Sequence, residues 1–342
     1  MRKFTNNFDF LRMAAALCVL YSHQYALMGQ AEPAFFPGQT FGSTGVFIFF
    51  AISGYLVCES WVREPHVGLF VAKRMLRIWP GLAVNTLLCA LLLGPVVSRL
   101  PANAYFGAPE LFHYFSNLYF RMTYFLPGVF EDNPYPVAVN GSLWTIPLEI
   151  SCYLSLMFAG VMTLLGRRLL TLGITVLVAV FYFYQLPHYD NLAIKLALFF
   201  YAGSCMQLFR DYTSRMGVVA PVLVTGLAAL FLGQSTLASL LLLPYLAIQL
   251  GSRSYPVLNQ AGRFGDFSYG TYIYAFPVQQ TLLHLMRGSE LPLAWYLLSS
   301  TVITILLAAI SWHAIEHPAL KLKHQLPRLP RKTKNEVTRQ AN

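Results

Sequence analysis

Of the 342 residues, 56% are hydrophobic and 15% aromatic, only 11% are charged, and mean hydropathy is +0.52. A soluble domain has no interior large enough to hide that much apolar surface, whereas a bilayer requires it, so the composition excludes a soluble enzyme or binding module. Lys and Arg number 24 against 14 Asp and Glu, a formal net charge of +10, and the placement of these bases described below explains the excess by topology and predicts no nucleic-acid partner.

Apolar runs of about 20 residues, each long enough to cross roughly 30 Å of hydrocarbon, recur along the chain. They predict an all-α polytopic membrane protein of about ten transmembrane helices, at Phe8–Met28, Gly42–Trp61, Gly81–Leu100, Ser142–Leu165, Leu169–Leu186, Asn191–Phe209, Met216–Gly233, Thr236–Leu250, Phe264–Met286 and Pro292–Ile315. The first span carries Asp9, Arg12 and His23 and lacks a following small-residue cleavage site, so it reads as a retained helix rather than a signal peptide.

Cytoplasmic loops keep positive charge. With ten spans and both termini cytoplasmic, the inside segments hold Arg2, Lys3, Arg63, Lys73, Arg74, Arg77, Arg167, Arg168, Arg210, Arg215, Arg253, Arg263 and a basic tail over 321–342, against Arg99, Arg121 and Arg287 outside. That tail attracts anionic membrane lipids. Cys18, Cys58, Cys89, Cys152 and Cys205 all fall within spans without CxxC spacing and read as packing residues.

The segment from Pro101 to Gly141 is a long external loop holding Tyr105, Phe106, His113, Tyr114, Tyr119, Phe120, Tyr124 and Phe125. This composition suits either an aromatic belt at the membrane surface or stacking on a ring-shaped substrate.

An ionisable group inside a bilayer costs several kcal/mol unless paired, so each one there is a functional candidate. Asp9, Arg12, His23, Glu149, Lys195 and Asp266 qualify. Arg12 and His23 are eleven residues apart, three helical turns plus about 20°, so they share a face at roughly 16 Å separation along the axis. Asp9 stands on that face, three residues before Arg12, and can pair with it.

In KRMLRIWP, just before the third expected span, Arg74 and Arg77 stand one turn apart and make a fork suited to phosphate, with Pro80 expected to kink or break the helix. The bland alternative is a positive-inside anchor.

Glu149 in NGSLWTIPLEI lies about 10 Å inside the outer boundary, a depth similar to that of His23, and a His oriented by a carboxylate is the usual general base for acyl transfer. Ser53, in the glycine-punctuated helix GSTGVFIFFAISGYLV, reads as a packing residue. Lys195 reads as a snorkelling group, and His313, Glu316 and His317 as an interfacial collar rather than a metal cluster.

Taken together, FDFLRMAAALCVLYSH, GVFIFFAISGYLV, RMLRIWP, SLWTIPLEI, FSYGTYIYAFPV and the closing IEHP resemble the acyltransferase family 3 membrane proteins, which O-acylate sugars of surface and extracellular glycans. The likeness runs from about Phe8 to Pro318, and it implies a transmembrane acyltransferase domain over 1–320. It implies a catalytic His23, use of the acyl donor by Arg12, Arg74 and Arg77, and equivalents of the motif glutamates at Glu149 and Glu316. Many members carry an Asp where this chain has Phe47 and a His before the ninth-helix proline where it has Ala275.

The resemblance implies an O-acyltransferase, of O-acetyltransferase type, in the cell inner membrane. Its donor would be acetyl-CoA and its acceptor a saccharide or lipid-linked glycan; no metal is called for, and self-association is left open. Rival readings are a transporter or flippase of a lipid-linked saccharide, which would move substrate without acyl turnover, and a non-catalytic scaffold of glycan export, which would tolerate loss of His23.

Overall fold

The computed structural model describes residues 6–325 apart from 187 and 289–291. Helical rods stand at all ten expected places. They are α1 (Phe8–Leu27), α2 (Phe41–Arg63) and α3 (Val67–Val97); two short helices, α4 (Ala102–Gly107) and α5 (Pro109–Tyr114); then α6 (Gly141–Val161), α7 (Arg168–Gln185), α8 (Leu192–Leu208), α9 (Met216–Phe231), α10 (Ser235–Ser252), α11 (Ser268–Leu285) and α12 (Leu293–Lys321). Six of these, α2, α3, α6, α7, α10 and α12, are long and apolar enough to cross a membrane, and α8 and α9 are shorter apolar helices. The expected basic tail lies, from 326 onward, outside the described residues.

Residues 34–40 form a short hairpin, strands Ala34–Phe36 and Gln39–Thr40, turning at Gly38 with φ 76°. It delivers Thr40 as the N-cap of α2, where Thr40 and Ser43 satisfy each other's backbone N–H groups in a capping box. Between apolar helices in lipid, close packing replaces the hydrophobic driving force, and small residues permit it. A side chain at Gly54 of α2 would collide with the Phe200 carbonyl of α8, and one at Gly203 of α8 with the Ala51 carbonyl of α2. These reciprocal approaches, with Ser204 Oγ donating to the Gly54 carbonyl at 3.1 Å, seat α2 on α8.

The third span departs from expectation. Its helix runs from Val67, not Gly81, so Arg74 and Arg77 lie inside it and Pro80 neither starts nor ends it. Further along, residues Cys89–Leu93 form a π turn. In that register residue 95 would donate to the Ala90 carbonyl, but Pro95 has no N–H, and the Tyr105 hydroxyl donates there instead at 2.7 Å. Tyr105 thereby anchors a folded cap over residues 98–140, whose core includes Tyr114, Leu126, Val129 and Phe130. Two of the expected stacking aromatics, Tyr105 and Tyr114, are thus core residues of the cap, whereas Tyr119 and Phe125 are exposed.

The helix at the ninth expected place, α11, is shorter than expected. It begins at Ser268, which leaves Asp266 in the preceding loop. Within α11, Pro277 removes the donor that the Ile273 carbonyl would otherwise have. Asn85 Nδ2 of α3 and Asn140 Nδ2 ahead of α6 occupy that carbonyl at 3.1 and 2.8 Å, and Asn140 also donates to Asn85 Oδ1 at 3.0 Å. A single orphaned acceptor therefore ties together three of the elements that wall the site.

Candidate active site

Helices α1, α2, α3, α6 and α11 enclose a cavity with about 840 Å³ of empty space, counting its mouth, and Arg12, Arg74, Arg77 and Glu149 all line it. On α2 the lining residues run from Val46 to Val57 along one stripe, a depth of roughly 16 Å at the helical rise. Aromatic and hydroxyl groups complete the wall, among them Ser53, Tyr153, Tyr269 and Tyr272.

The three arginines are held differently. Arg12 Nη1 and Arg77 Nη2 both donate to Oδ2 of Asp266 at 2.7 Å. Arg12 also pairs with Asp9 at 3.1 Å, as the spacing predicts, and Arg77 lies 3.9 Å from Glu316. Glu316 is buried within a second π turn, Trp312–Glu316, and accepts the Ser311 hydroxyl at 2.9 Å. His313 packs on Phe267 and His317 stacks on Trp312.

Arg74 makes no salt bridge among the described residues. Its guanidinium stands 5.8 Å from the ring centres of both Phe70 and Tyr153, and its Nε is buried without a hydrogen-bond partner. A buried donor without an acceptor is a point of attachment for an incoming anion or carbonyl. The expected Arg74–Arg77 fork is therefore opened out: the two share the cavity but not a partner.

Glu149 does not hold His23. Its Oε1 accepts the Ser53 hydroxyl at 3.0 Å and also the Tyr153 hydroxyl. Ser53 is thus a hydrogen-bonding wall residue of the cavity rather than helix packing alone. Similar depth along the chain does not make a contact: Glu149 faces the arginine cavity between α2 and α3, and His23 is not among the residues lining it.

His23 lies beyond the deep end of that cavity. Gly42 of α2 abuts Ser22, which puts His23 about one helical turn, roughly 6 Å, past Val46. The cavity end is closed by Tyr272, whose hydroxyl bonds Thr145 Oγ1 and the Ser142 carbonyl, both at 2.9 Å. Phe276, one turn on from Tyr272, stands edge-on to His23 with ring centres 5.5 Å apart. The imidazole Nδ1 is buried and unpartnered. A carboxylate stands at the adjacent residue: Glu32 accepts the hydroxyl of Ser22. Glu32 lies in a loop and has no sequence pattern to mark it, so only the fold brings it here.

Lys195, expected to snorkel, is buried; its Nζ pairs with Asp190 at 3.1 Å and lies 5.5 Å from the Phe47 ring centre. It lies apart from the arginine cavity.

Comparison with known proteins supplies the family. The "Acyltransferase domain" model matches residues 5–313. An "O-acetyl transferase" of Shigella phage Sf6 is 30% identical over 328 residues, covering 91% of this chain and 95% of that protein. "Nodulation protein 10" of Rhizobium leguminosarum bv. viciae is 29% identical over 357 residues, covering 94% of this chain and 95% of that one. No solved structure matches. Arginines and an imidazole on a helical scaffold with several membrane-crossing helices thus accompany a match over nearly the whole chain, and the chain belongs to the family of the acyltransferase domain, as a multi-pass membrane acyltransferase that transfers groups other than amino-acyl groups.

Proposed function

We propose that this acyltransferase moves an acetyl group from acetyl-CoA to a sugar hydroxyl of a cell-surface or extracellular glycan, in the cell inner membrane, through ten spans with both termini cytoplasmic. The observation that carries the proposal is the convergence of Arg12, Arg74 and Arg77 on one elongated cavity that points toward His23. The relative named O-acetyl transferase supports acetyl as the group moved.

The donor's phosphates bind at the arginine end. Their oxygens replace Asp266 on Arg12 and Arg77 and meet the unpartnered Nε of Arg74, because multiply charged phosphate competes well for guanidinium donors. The pantetheine arm follows the α2 stripe past Ser53 to Tyr272, whose side chain swings aside to let the thioester reach Phe276 and His23. His23 takes the proton of the sugar hydroxyl as that oxygen attacks the thioester carbonyl, or accepts the acyl group and passes it on; either route releases the CoA thiol. A cavity that is cationic at one end, with an imidazole beyond its other end, lets one protein join a cytosolic donor to an external acceptor.

The test is release of free thiol from acetyl-CoA by the purified protein in nanodiscs with a panel of glycans, comparing wild type with His23→Ala of matched thermal stability. Acceptor-dependent release lost in the variant is expected. Well-folded wild type that moves a lipid-linked saccharide without thiol release would replace the proposal with transport.

A further inference from the structure

We infer that Tyr135 is the stacking platform of an acceptor subsite for an uncharged sugar ring, set across the Phe276 ring from His23, whose neighbour Ser22 bonds Glu32; the inference rests on the proposed sugar acceptor.

Tyr135 belongs to the cap but not to its core. It is 47% exposed, and the same loop carries the charged Glu131 and Asp132. Its ring stands 6.2 Å from that of Phe276 at 83°, and Phe276 in turn is the edge-on neighbour of His23. The exposed ring is therefore two ring contacts from the imidazole, on the side away from the arginine cavity. An aromatic face offers a broad apolar surface to the C–H face of a pyranose while leaving its hydroxyls free to hydrogen-bond.

The platform is held rigidly. Gln280 Nε2 donates to the Tyr135 carbonyl at 2.8 Å, and Asn133 Nδ2 returns a bond to Gln280 Oε1, also at 2.8 Å. On either side of this turn, Phe130 and Val137 adopt left-handed backbone, φ 55° and 60°. That conformation is costly for a β-branched residue, and such strain concentrates where geometry serves binding.

Charge selects the sugar. Glu32 is exposed and, among the described residues, forms no salt bridge, whereas Asp132 is neutralised by Arg99 and Arg287. A carboxylate without a cationic partner accepts hydroxyl hydrogen bonds and repels anionic sugars.

The experiment measures binding of methyl glycosides of glucose, galactose, rhamnose and N-acetylglucosamine, with methyl glucuronide as the anionic control, to nanodisc protein by saturation-transfer NMR. Wild type, Tyr135→Ala and Tyr135→Trp are compared, with acceptor KM, kcat and acetyl-CoA KM measured alongside. Tyr135→Ala is expected to weaken glycoside binding and raise acceptor KM roughly tenfold, with acetyl-CoA KM unchanged; Tyr135→Trp keeps both near wild type, and glucuronide binds weakest. Unchanged affinity in the alanine variant, or no glycoside bound by wild type, overturns the subsite. Glycoside binding that depends on Tyr135 without acyl turnover would retain the subsite and remove the acetyl-transfer reading; turnover with wild-type acceptor KM in Tyr135→Ala would do the reverse.

Discussion

Arg12 and Arg77 reach one carboxylate oxygen from different helices: each donates at 2.7 Å to Oδ2 of Asp266, so a loop residue far from both in sequence sets the spacing of two guanidiniums. Asp266 is almost enclosed, with 12% of its side chain accessible. Removing one member of such a buried cluster leaves like charges facing each other, at a cost on the order of 3 kcal/mol. Asp266→Asn is expected to lower the thermal midpoint of the detergent-solubilised protein by several degrees and to raise acetyl-CoA KM as the arginines separate. An unchanged midpoint would mean that the arginines are held by Asp9 and Glu316 alone.

Much of the architecture was legible because hydropathy is a one-dimensional quantity, and ten apolar stretches became ten helical rods. The start of α3 was misplaced for the same reason. Lys73, Arg74 and Arg77 depress local hydropathy and Pro80 resembles a helix start, yet the helix runs through them because Arg77 is neutralised by Asp266 and Glu316 from other elements. The site residues were legible as a set of embedded charges. Their pairings were not: depth can be counted along a chain, but the azimuth at which Glu149 points depends on how α6 rotates against α2 and α3, which tertiary packing decides.

Arg74 is the arginine with no carboxylate to release, so it should contribute to donor binding at least cost in folding. Arg74→Lys retains charge but loses the planar contact between the Phe70 and Tyr153 rings. We expect acetyl-CoA KM to rise roughly tenfold, with kcat and the thermal midpoint close to wild type, in steady-state thiol-release assays. A fall in kcat at constant KM would place Arg74 at the reacting centre instead.

The Ile273 carbonyl depends on Asn85 and Asn140 for hydrogen bonds that Pro277 denies it. Asn140→Ala takes away its shorter bond and the donor to Asn85 Oδ1, at about 1–3 kcal/mol for buried polar groups left short of partners. Pro277→Ala should recover part of that loss, since the alanine supplies the backbone N–H that proline lacks and returns a helical donor to the Ile273 carbonyl. Thermal unfolding of the single and double variants measures the coupling; strict additivity would show that the asparagines stabilise the bundle by other contacts.

The Gly54–Gly203 crossing predicts a steric rather than chemical sensitivity. Gly54→Ala drives a methyl group into the Phe200 carbonyl, and overpacking of this kind costs roughly 1–3 kcal/mol. Gly217→Ala at the start of α9 meets nothing within 4 Å and serves as the control. The first should lower the thermal midpoint and the second leave it unchanged; equal midpoints would show that α2 and α8 separate easily enough to absorb the methyl group.

Glu149 supplies the sharpest division between the two roles open to it. Were it the carboxylate that orients His23, Glu149→Gln would move the acidic limb of the rate–pH profile and depress kcat. Its actual partners are Ser53 and Tyr153, and Tyr153 flanks Arg74 in the donor cavity. The amide retains an acceptor oxygen for both hydroxyls but loses the negative charge beside Arg74, so the effect should fall on the donor side. We expect Glu149→Gln to change acetyl-CoA KM several-fold while the acidic limb stays at its wild-type position. Glu32→Gln should shift that limb, because Glu32 is the carboxylate that bonds Ser22, the residue before His23. A limb that moves with Glu149 and not with Glu32 would return Glu149 to His23 and require α6 to rotate during the catalytic cycle.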